Sequence, residues 1–385
     1  MNITDFCTGC RACEQLCPKQ CITMKSSDEG FLVAEIDEKR CVDCGLCRKR
    51  CPQNNMPDKH SPKKVLAVRY KKDTELKDSA SGGAFVALAH RVLEQNGVVF
   101  GAAYDEDWTV GHIAVYKEED LYKLQGSKYV QCDTLHIYSE VKNLLNKGKT
   151  VLFSGTPCQI GGLRAFLKKD YDNLLTTDLI CHGVASPKLF QKYIEWLGIE
   201  TKGKILYYNF RDKSGGWGLG YKAKTKTKTK TKTANSDPYY YHFLKGDTYR
   251  ECCYRCRYCT RERVGDITIG DYWGIEQAHP SFYSTKGVSV MLLNTEKALK
   301  WFGQVENSFY IQASTFEQAA RQNHNLLSPT RRPKMRDTVY NHLDDMDVEG
   351  YFNTVLKTPN RFVDRIKGML PMRLKLILKT IKQKL

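Results

Sequence analysis

The stretches Cys7-Thr8-Gly9-Cys10-Arg11-Ala12-Cys13-Glu14-Gln15-Leu16-Cys17-Pro18 and Cys41-Val42-Asp43-Cys44-Gly45-Leu46-Cys47-Arg48-Lys49-Arg50-Cys51-Pro52 repeat one spacing, C-x2-C-x2-C-x3-C followed by proline. Two intervening residues let successive thiolates turn onto one iron-sulfur cubane, while the fourth, set off by three residues and a proline, reaches a second cubane. The ligand sets are therefore expected to cross. Cys7, Cys10, Cys13 and Cys51 would hold one 4Fe-4S cluster, and Cys41, Cys44, Cys47 and Cys17 the other. Tetrahedral zinc also takes paired cysteines; two complete four-cysteine runs, each closed by Cys-Pro, favour cubanes over that rival. Between the runs, Gly30 to Ile36 reads as a short strand, and Cys21, outside the spacing, as a buried packing thiol.

Working outward, the chain has 385 residues, a length for two or three domains, with 41% hydrophobic and 27% charged residues. That composition is globular, neither disordered nor fibrous. The net charge of +17 sits mostly on two appendages: Lys222, Lys224, Lys226, Lys228, Lys230 and Lys232, and the segment 357–385, which together leave the remainder near +3. A nearly neutral body argues against nucleic acid as a partner, because phosphate binding needs a coherent basic face. No run approaches the roughly 18 apolar residues of a spanning helix, and Met1 to Cys7 lacks the basic and apolar regions of a secretory signal. The expected location is the cytoplasm, where 16 cysteines serve metals or redox chemistry rather than disulfides.

Residues Met56 to Lys64 read as a linker, and a body of α/β character follows. Strands are expected at Val65–Tyr70, Gly97–Ala103, Val151–Phe153 and Leu174–Ile180, and helices at Ala84–Asn96, Leu135–Asn146, Gly161–Lys168 and Pro187–Leu197. Two turns lead into helices: Ser81-Gly82-Gly83, and Ser154-Gly155-Thr156. Either could offer backbone N–H groups to the phosphates of a nucleotide cofactor, although most such glycines only cap or pack. The Lys-Thr alternation from Lys222 to Thr233 is consistent with a hairpin extended into solvent or with a disordered insertion. Leu374, Ile377, Leu378, Ile381 and Leu385 form the apolar side of a basic amphipathic helix. Such a helix could lie on an anionic membrane surface or dock on protein.

Further motifs run in order from about residue 65 to about 295: Ser81-Gly82-Gly83, Gly101-Ala102-Ala103-Tyr104-Asp105, Gly126-Ser127-Lys128-Tyr129-Val130, Ser154 to Gln159, Asp178-Leu179-Ile180-Cys181-His182-Gly183, Phe210-Arg211-Asp212-Lys213, Cys253-Tyr254-Arg255-Cys256, and Asp266 to Gly274. Together they resemble the coenzyme F420 hydrogenase/dehydrogenase β-subunit family. The resemblance implies domains at 1–56 (two-cluster ferredoxin type), 63–148 and 149–350 (the two parts of the β subunit), and a basic tail at 351–385. The fold class expected is α+β or α/β, with the ferredoxin-like unit ahead of a mixed α/β flavin-binding body.

The family resemblance also implies FAD, held by Ser81, Gly82, Gly83, Ser154, Gly155 and Thr156, with Lys128 neutralising a phosphate or the reduced flavin. A flavin joins two-electron chemistry to a one-electron wire. Cys158, Cys181, Cys253 and Cys256 could hold a third 4Fe-4S cluster, with Cys252 and Cys259 leaving the choice of ligands open. His182 could donate a proton to a reduced substrate, or merely orient its loop. The leading expectation is an iron-sulfur flavoprotein oxidoreductase that exchanges electrons between a redox partner (ferredoxin, hydrogenase or dehydrogenase subunit) and a small organic substrate, coenzyme F420 or another. The alternative is an electron-transfer adaptor without substrate chemistry. The expected setting is cytoplasmic, with peripheral contact at the inner membrane surface through the tail as an open option.

Overall fold

The computed structural model describes residues 3–359. The amphipathic helix expected over 374–385 lies outside the described residues. In the first unit, helices Ala12–Leu16 and Leu46–Arg50 each follow a cysteine pair, and between them β1 (Ile22–Ser26) and β2 (Leu32–Ile36) form an antiparallel hairpin pairing Ile22 with Ile36.

The body is built on one mixed sheet. Its strands are β3 (Lys64–Tyr70), β4 (Val98–Tyr104), β5 (Val110–Val115), β6 (Val151–Gly155) and β7 (Leu174–Leu179), then, after a smaller sheet of β8 (Tyr207–Asn209), β9 (Gly220–Lys224) and β10 (Thr229–Thr233), β11 (Ile267–Asp271), β12 (Ser289–Leu293) and β13 (Phe309–Ser314). The order across the large sheet is β13-β3-β12-β11-β7-β6-β4-β5. Segments 63–148 and 149–350 thus contribute strands to the same sheet. Strands β4, β6, β7 and β11 run parallel, and β6 is buried along its whole length, as a strand covered on both faces must be. Their carboxyl ends, followed by Thr156, Cys181-His182 and Tyr272-Trp273, come to one edge, where open α/β sheets bind ligands.

Every strand and helix expected from residue 65 to residue 197 is present. The helix expected from Gly161 begins earlier, at Pro157, because proline suits a first helical position and Thr156 with Gln159 forms a capping box. The Lys-Thr repeat does fold as a hairpin, with Lys224, Lys226 and Lys228 exposed at its tip, but its remaining lysines lean on the body. On β10 the threonines are exposed and the lysines half-buried. Lys230 lies 5.4 Å over the Trp196 ring and 3.2 Å from Glu200, and Lys222 stands 2.8 Å from Asp212. The alternation fixed which side chains share a face; aromatic and acidic partners on the body decided which face turned inward.

The cysteine-rich unit is fastened to the body at several points. Arg11 forks onto Asp133, Arg250 donates to the carbonyls of Cys7 and Leu32 at 2.9 and 2.8 Å, and Arg336 pairs with Glu29. Within the expected linker, His60 and Arg263 exchange two backbone hydrogen bonds of 2.8 and 2.9 Å. Among the described residues, no helix is long and apolar enough to cross a membrane.

Candidate metal centre

Left-handed backbone shapes both cysteine loops alike. Gly9 (φ 71°) and Arg11 (φ 58°) flank Cys10, and Asp43 (φ 45°) and Gly45 (φ 68°) flank Cys44. Such alternation gathers successive N–H groups into a nest of the kind that cradles Fe–S groups. Cys17 and Cys51 are both extended, with ψ 115° and 122°, as residues before proline are. Glycine is required at position 9, where a Cβ would stand 2.8 Å from the Leu32 carbonyl oxygen in a left-handed backbone.

Two thiol sets result. Cys7, Cys10, Cys13 and Cys51 line a cavity of about 440 Å³, and Cys17, Cys41, Cys44 and Cys47 line a smaller one. These are the crossed sets that the spacing predicts. Burial pushes the Cys10 thiol up to about 12, and Cys7, Cys51 and Cys158 add to the rise. Burial likewise raises Cys13, helped by Cys10, Cys7 and Cys51. Buried sulfurs that oppose one another's ionisation are relieved by bound cations, so the first set fits a cubane, and the second fits through the same spacing and loop backbone. Cys21 joins the smaller cavity, its Sγ 3.4 Å from that of Cys17, and is a fifth thiol there.

A third set gathers at the carboxyl edge of the sheet. Cys158 and Cys181 follow β6 and β7, and the 252–259 loop brings four more cysteines. Cys181 is raised by burial and then by Cys158 and Cys256. Cys259 is raised by its bond to Cys256, by burial, and by Cys256 and Cys181 as like charges. Adjacent Cys252 and Cys253 shift each other in opposite directions, Cys252 down and Cys253 up. The four thiols expected here, Cys158, Cys181, Cys253 and Cys256, are therefore neighbours, and Cys252 and Cys259 belong with them. The signal for Cys259 lay in the sequence: Cys253-x2-Cys256-x2-Cys259 repeats the spacing of the first unit. Among the described residues, no group of three or more Cys, His, Asp or Glu is arranged to hold a single metal ion. A cubane spreads its four thiolates over four irons, a wider figure than four ligands on one ion.

Around this set the edge is polar and tightly paired. Arg211, 1% exposed, forks onto Asp271 at 2.6 and 2.7 Å, and Trp217 Nε1 donates to the same carboxylate at 2.7 Å. Burial alone would raise the Asp271 carboxyl, but Arg211 holds it below its ordinary range. Trp273 stacks on Trp217 at 5.0 Å. His182 stands edge-on to His324 at 5.9 Å, and burial lowers it to about 4, so it is a neutral imidazole at pH 7.

The turns expected to hold a pyrophosphate are occupied by the protein itself. Gly82 N donates to Ser289 Oγ, Ser81 Oγ donates to the Val288 carbonyl, and the Thr156 N–H bonds Gln159 Oε1. A Cβ on Gly82 would strike the backbone of β3 and β12, so this glycine serves close strand packing. Gly83, at φ 78°, opens the Ala84–Glu94 helix and packs on Tyr70. The Ser154 carbonyl meets His112 Nε2 at 3.0 Å, and Gly155 lies against Gln159 and His112. Lys128 Nζ donates to the carbonyls of Lys123 and Gln125 at 3.0 and 2.8 Å, and burial lowers it to about 7. The two glycine turns do not fit a pyrophosphate as they stand, since the N–H groups of Gly82 and Thr156 are already spent.

Residues 148–319 match the family model for the carboxyl-terminal part of the coenzyme F420 hydrogenase/dehydrogenase β subunit, and residues 6–55 match a 4Fe-4S dicluster domain. The chain is 28% identical over 203 residues to an uncharacterized protein of Methanocaldococcus jannaschii, covering 44% of this chain and 55% of that one. It is 23% identical over 228 residues to the F subunit of the F420H2 dehydrogenase of Methanosarcina mazei, covering 53% and 64%. The chain thus spans less than two thirds of either relative. Among solved structures, a chain of the F420-reducing NiFe hydrogenase complex from Methanosarcina barkeri is 17% identical with a TM-score of 0.45, covering 77% of this chain and 91% of that one.

Proposed function

We propose, from the match of residues 148–319 to the coenzyme F420 hydrogenase/dehydrogenase β-subunit family model and of residues 6–55 to a 4Fe-4S dicluster domain, that this protein is an iron-sulfur electron-transfer subunit of an oxidoreductase. Single electrons pass between a redox partner and the sheet's carboxyl edge by way of the two N-terminal cubanes. The reading is carried by Cys10, in the first thiol set, packing against the same core as Cys158, in the third, with its Sγ against Gly162 of the Cys158 helix. A dicluster wire built for another purpose would have no reason to end on a second buried nest of thiols.

The finer reading has three parts. Cys158, Cys181 and Cys256, with a partner from Cys252, Cys253 or Cys259, hold a third 4Fe-4S cluster. The family resemblance would add FAD, joining that cluster to an organic substrate, coenzyme F420 or another small molecule. His182 and Lys128 serve at that site, in a protein of the reducing cytoplasm. The family resemblance supports the flavin; the occupied Gly82 and Thr156 amides favour instead the second reading, an adaptor that carries electrons without bond chemistry of its own.

Anaerobic purification tests the proposal. Acid-labile sulfide with about eight or about twelve irons per chain supports it, and protein without iron or sulfide overturns it. FAD released on denaturation selects the flavoenzyme, whereas its absence selects the adaptor.

A further inference from the structure

One aromatic side chain lies between the first and third thiol sets. Tyr258 sits within the loop between Cys256 and Cys259, is 3% exposed, and donates its hydroxyl to the Pro52 carbonyl at 3.4 Å, directly after the candidate ligand Cys51. The ring belongs to a core that the N-terminal unit and the body share: Ala12 from the first helix, and Tyr138, Ile160 and Leu163 from the body. Cys10 of the first set and Cys158 and Cys256 of the third pack against the same buried core as its ring.

The helix Pro157–Leu167 is shaped around this contact. Gly161 leaves the space that the Tyr258 hydroxyl fills, since any Cβ there would collide with it. At Gly162 a Cβ would stand 3.1 Å from Cys10 Sγ and 2.7 Å from the Tyr138 hydroxyl. Consecutive glycines weaken a helix; here they let the sulfur of Cys10 and the ring of Tyr258 both approach the helix that carries Cys158. The neighbouring chain is fastened as well, with Arg257 donating to the Gln53 carbonyl at 2.5 Å and Arg263 to the Tyr258 carbonyl at 3.0 Å.

We propose that Tyr258 is the bridge across which electrons pass between the N-terminal cubane held by Cys7, Cys10, Cys13 and Cys51 and the iron-sulfur centre of the body. The inference rests on the third cluster of the proposed function. Tunnelling falls steeply with distance and is slower across a void than through packed atoms, so a filled contact pinned to residue 52 and continuous with residues 256–259 sets the rate. In the step, the first cubane is oxidised by one electron and the body centre reduced by one. No proton moves and no covalent bond changes. Tyr258 is a positioning residue in this scheme, because it keeps its electrons and its proton.

The test uses the full chain loaded anaerobically, with wild type, Tyr258→Phe and Tyr258→Leu compared. Less than one electron per chain is delivered by a photoreduction pulse, and its redistribution is followed by freeze-quench EPR. With about twelve irons retained in each protein, Tyr258→Leu is expected to slow arrival at the body centre by roughly tenfold or more, and Tyr258→Phe, which keeps the ring, by less than about threefold. The static EPR signals are expected to stay unchanged. Twelve irons with wild-type kinetics in Tyr258→Leu overturns this inference alone. Only eight irons in wild type overturns the third cluster and the inference together. Should Tyr258→Leu lose iron, Tyr258→Met, which fills more of the site without a ring, takes its place: an unaltered rate overturns the inference, and a slowed rate supports it.

Discussion

Arg263 Nη2 stands 2.9 Å from Asp178 Oδ1, with the two side chains 1% and 0% exposed. Asp178 also accepts the Gly265 N–H at 2.8 Å, while Arg263 reaches the carbonyls of Tyr258 and Leu179. One ion pair therefore ties the cysteine loop at 256–259 to the end of β7, two residues before Cys181. Asp178→Ala leaves a guanidinium buried and unpaired, which costs about 3–5 kcal/mol. Urea midpoints should fall accordingly, and a loss under about 1 kcal/mol would count against the pair's role.

Replacing Cys158 separates the thiol sets chemically. Cys158→Ser is expected to lower iron from about twelve to about eight per chain while the signals of the N-terminal pair persist. Loss of all iron would show instead that the sets do not load independently.

Gly82 distinguishes packing from phosphate binding. A Cβ at this position would stand 2.5 Å from Ser289 N and also strike the Val68 carbonyl. Gly82→Ala should therefore destabilise the fold by about 1–3 kcal/mol, as overpacking does, in flavin-free protein. An unchanged melting temperature with weakened FAD retention would restore the phosphate role.

His112 supplies a pH dependence. It is 1% exposed, lies between the Ser154 carbonyl at 3.0 Å and the Cys132 sulfur at 3.1 Å, and burial lowers it to about 4. Unfolded, it titrates near 6.5, so between these values the unfolded chain binds the extra proton and stability rises with pH. The contribution is full above about pH 6.5 and is lost as pH falls toward 4, amounting to about 3 kcal/mol at that end. His112→Gln should flatten urea midpoints over this window relative to wild type. Parallel profiles would refute the assignment.

Much of this organisation was legible in residue order. The crossed cysteine sets followed from spacing, because three residues and a proline leave little choice about where Cys17 and Cys51 can reach. Strands such as β6 were visible as short apolar runs between glycine-bearing turns. The convergence of Cys158 and Cys181 with residues 252–259 was legible only as resemblance, since it depends on β6, β7 and β11 lying side by side. Nor could alternation alone say that Lys230 would settle on Trp196. The glycine turns were ambiguous for a related reason: a Gly-Gly before a helix looks the same whether it admits a phosphate or a neighbouring strand, and the neighbour, Ser289, lies 207 residues away.

Arg11, Arg250, Arg336 and the His60–Arg263 backbone pair hold the first unit against the body. Because these ties set the spacing between its candidate redox stations at folding, Cys10 reaches the helix carrying Cys158 without any rearrangement of the first unit.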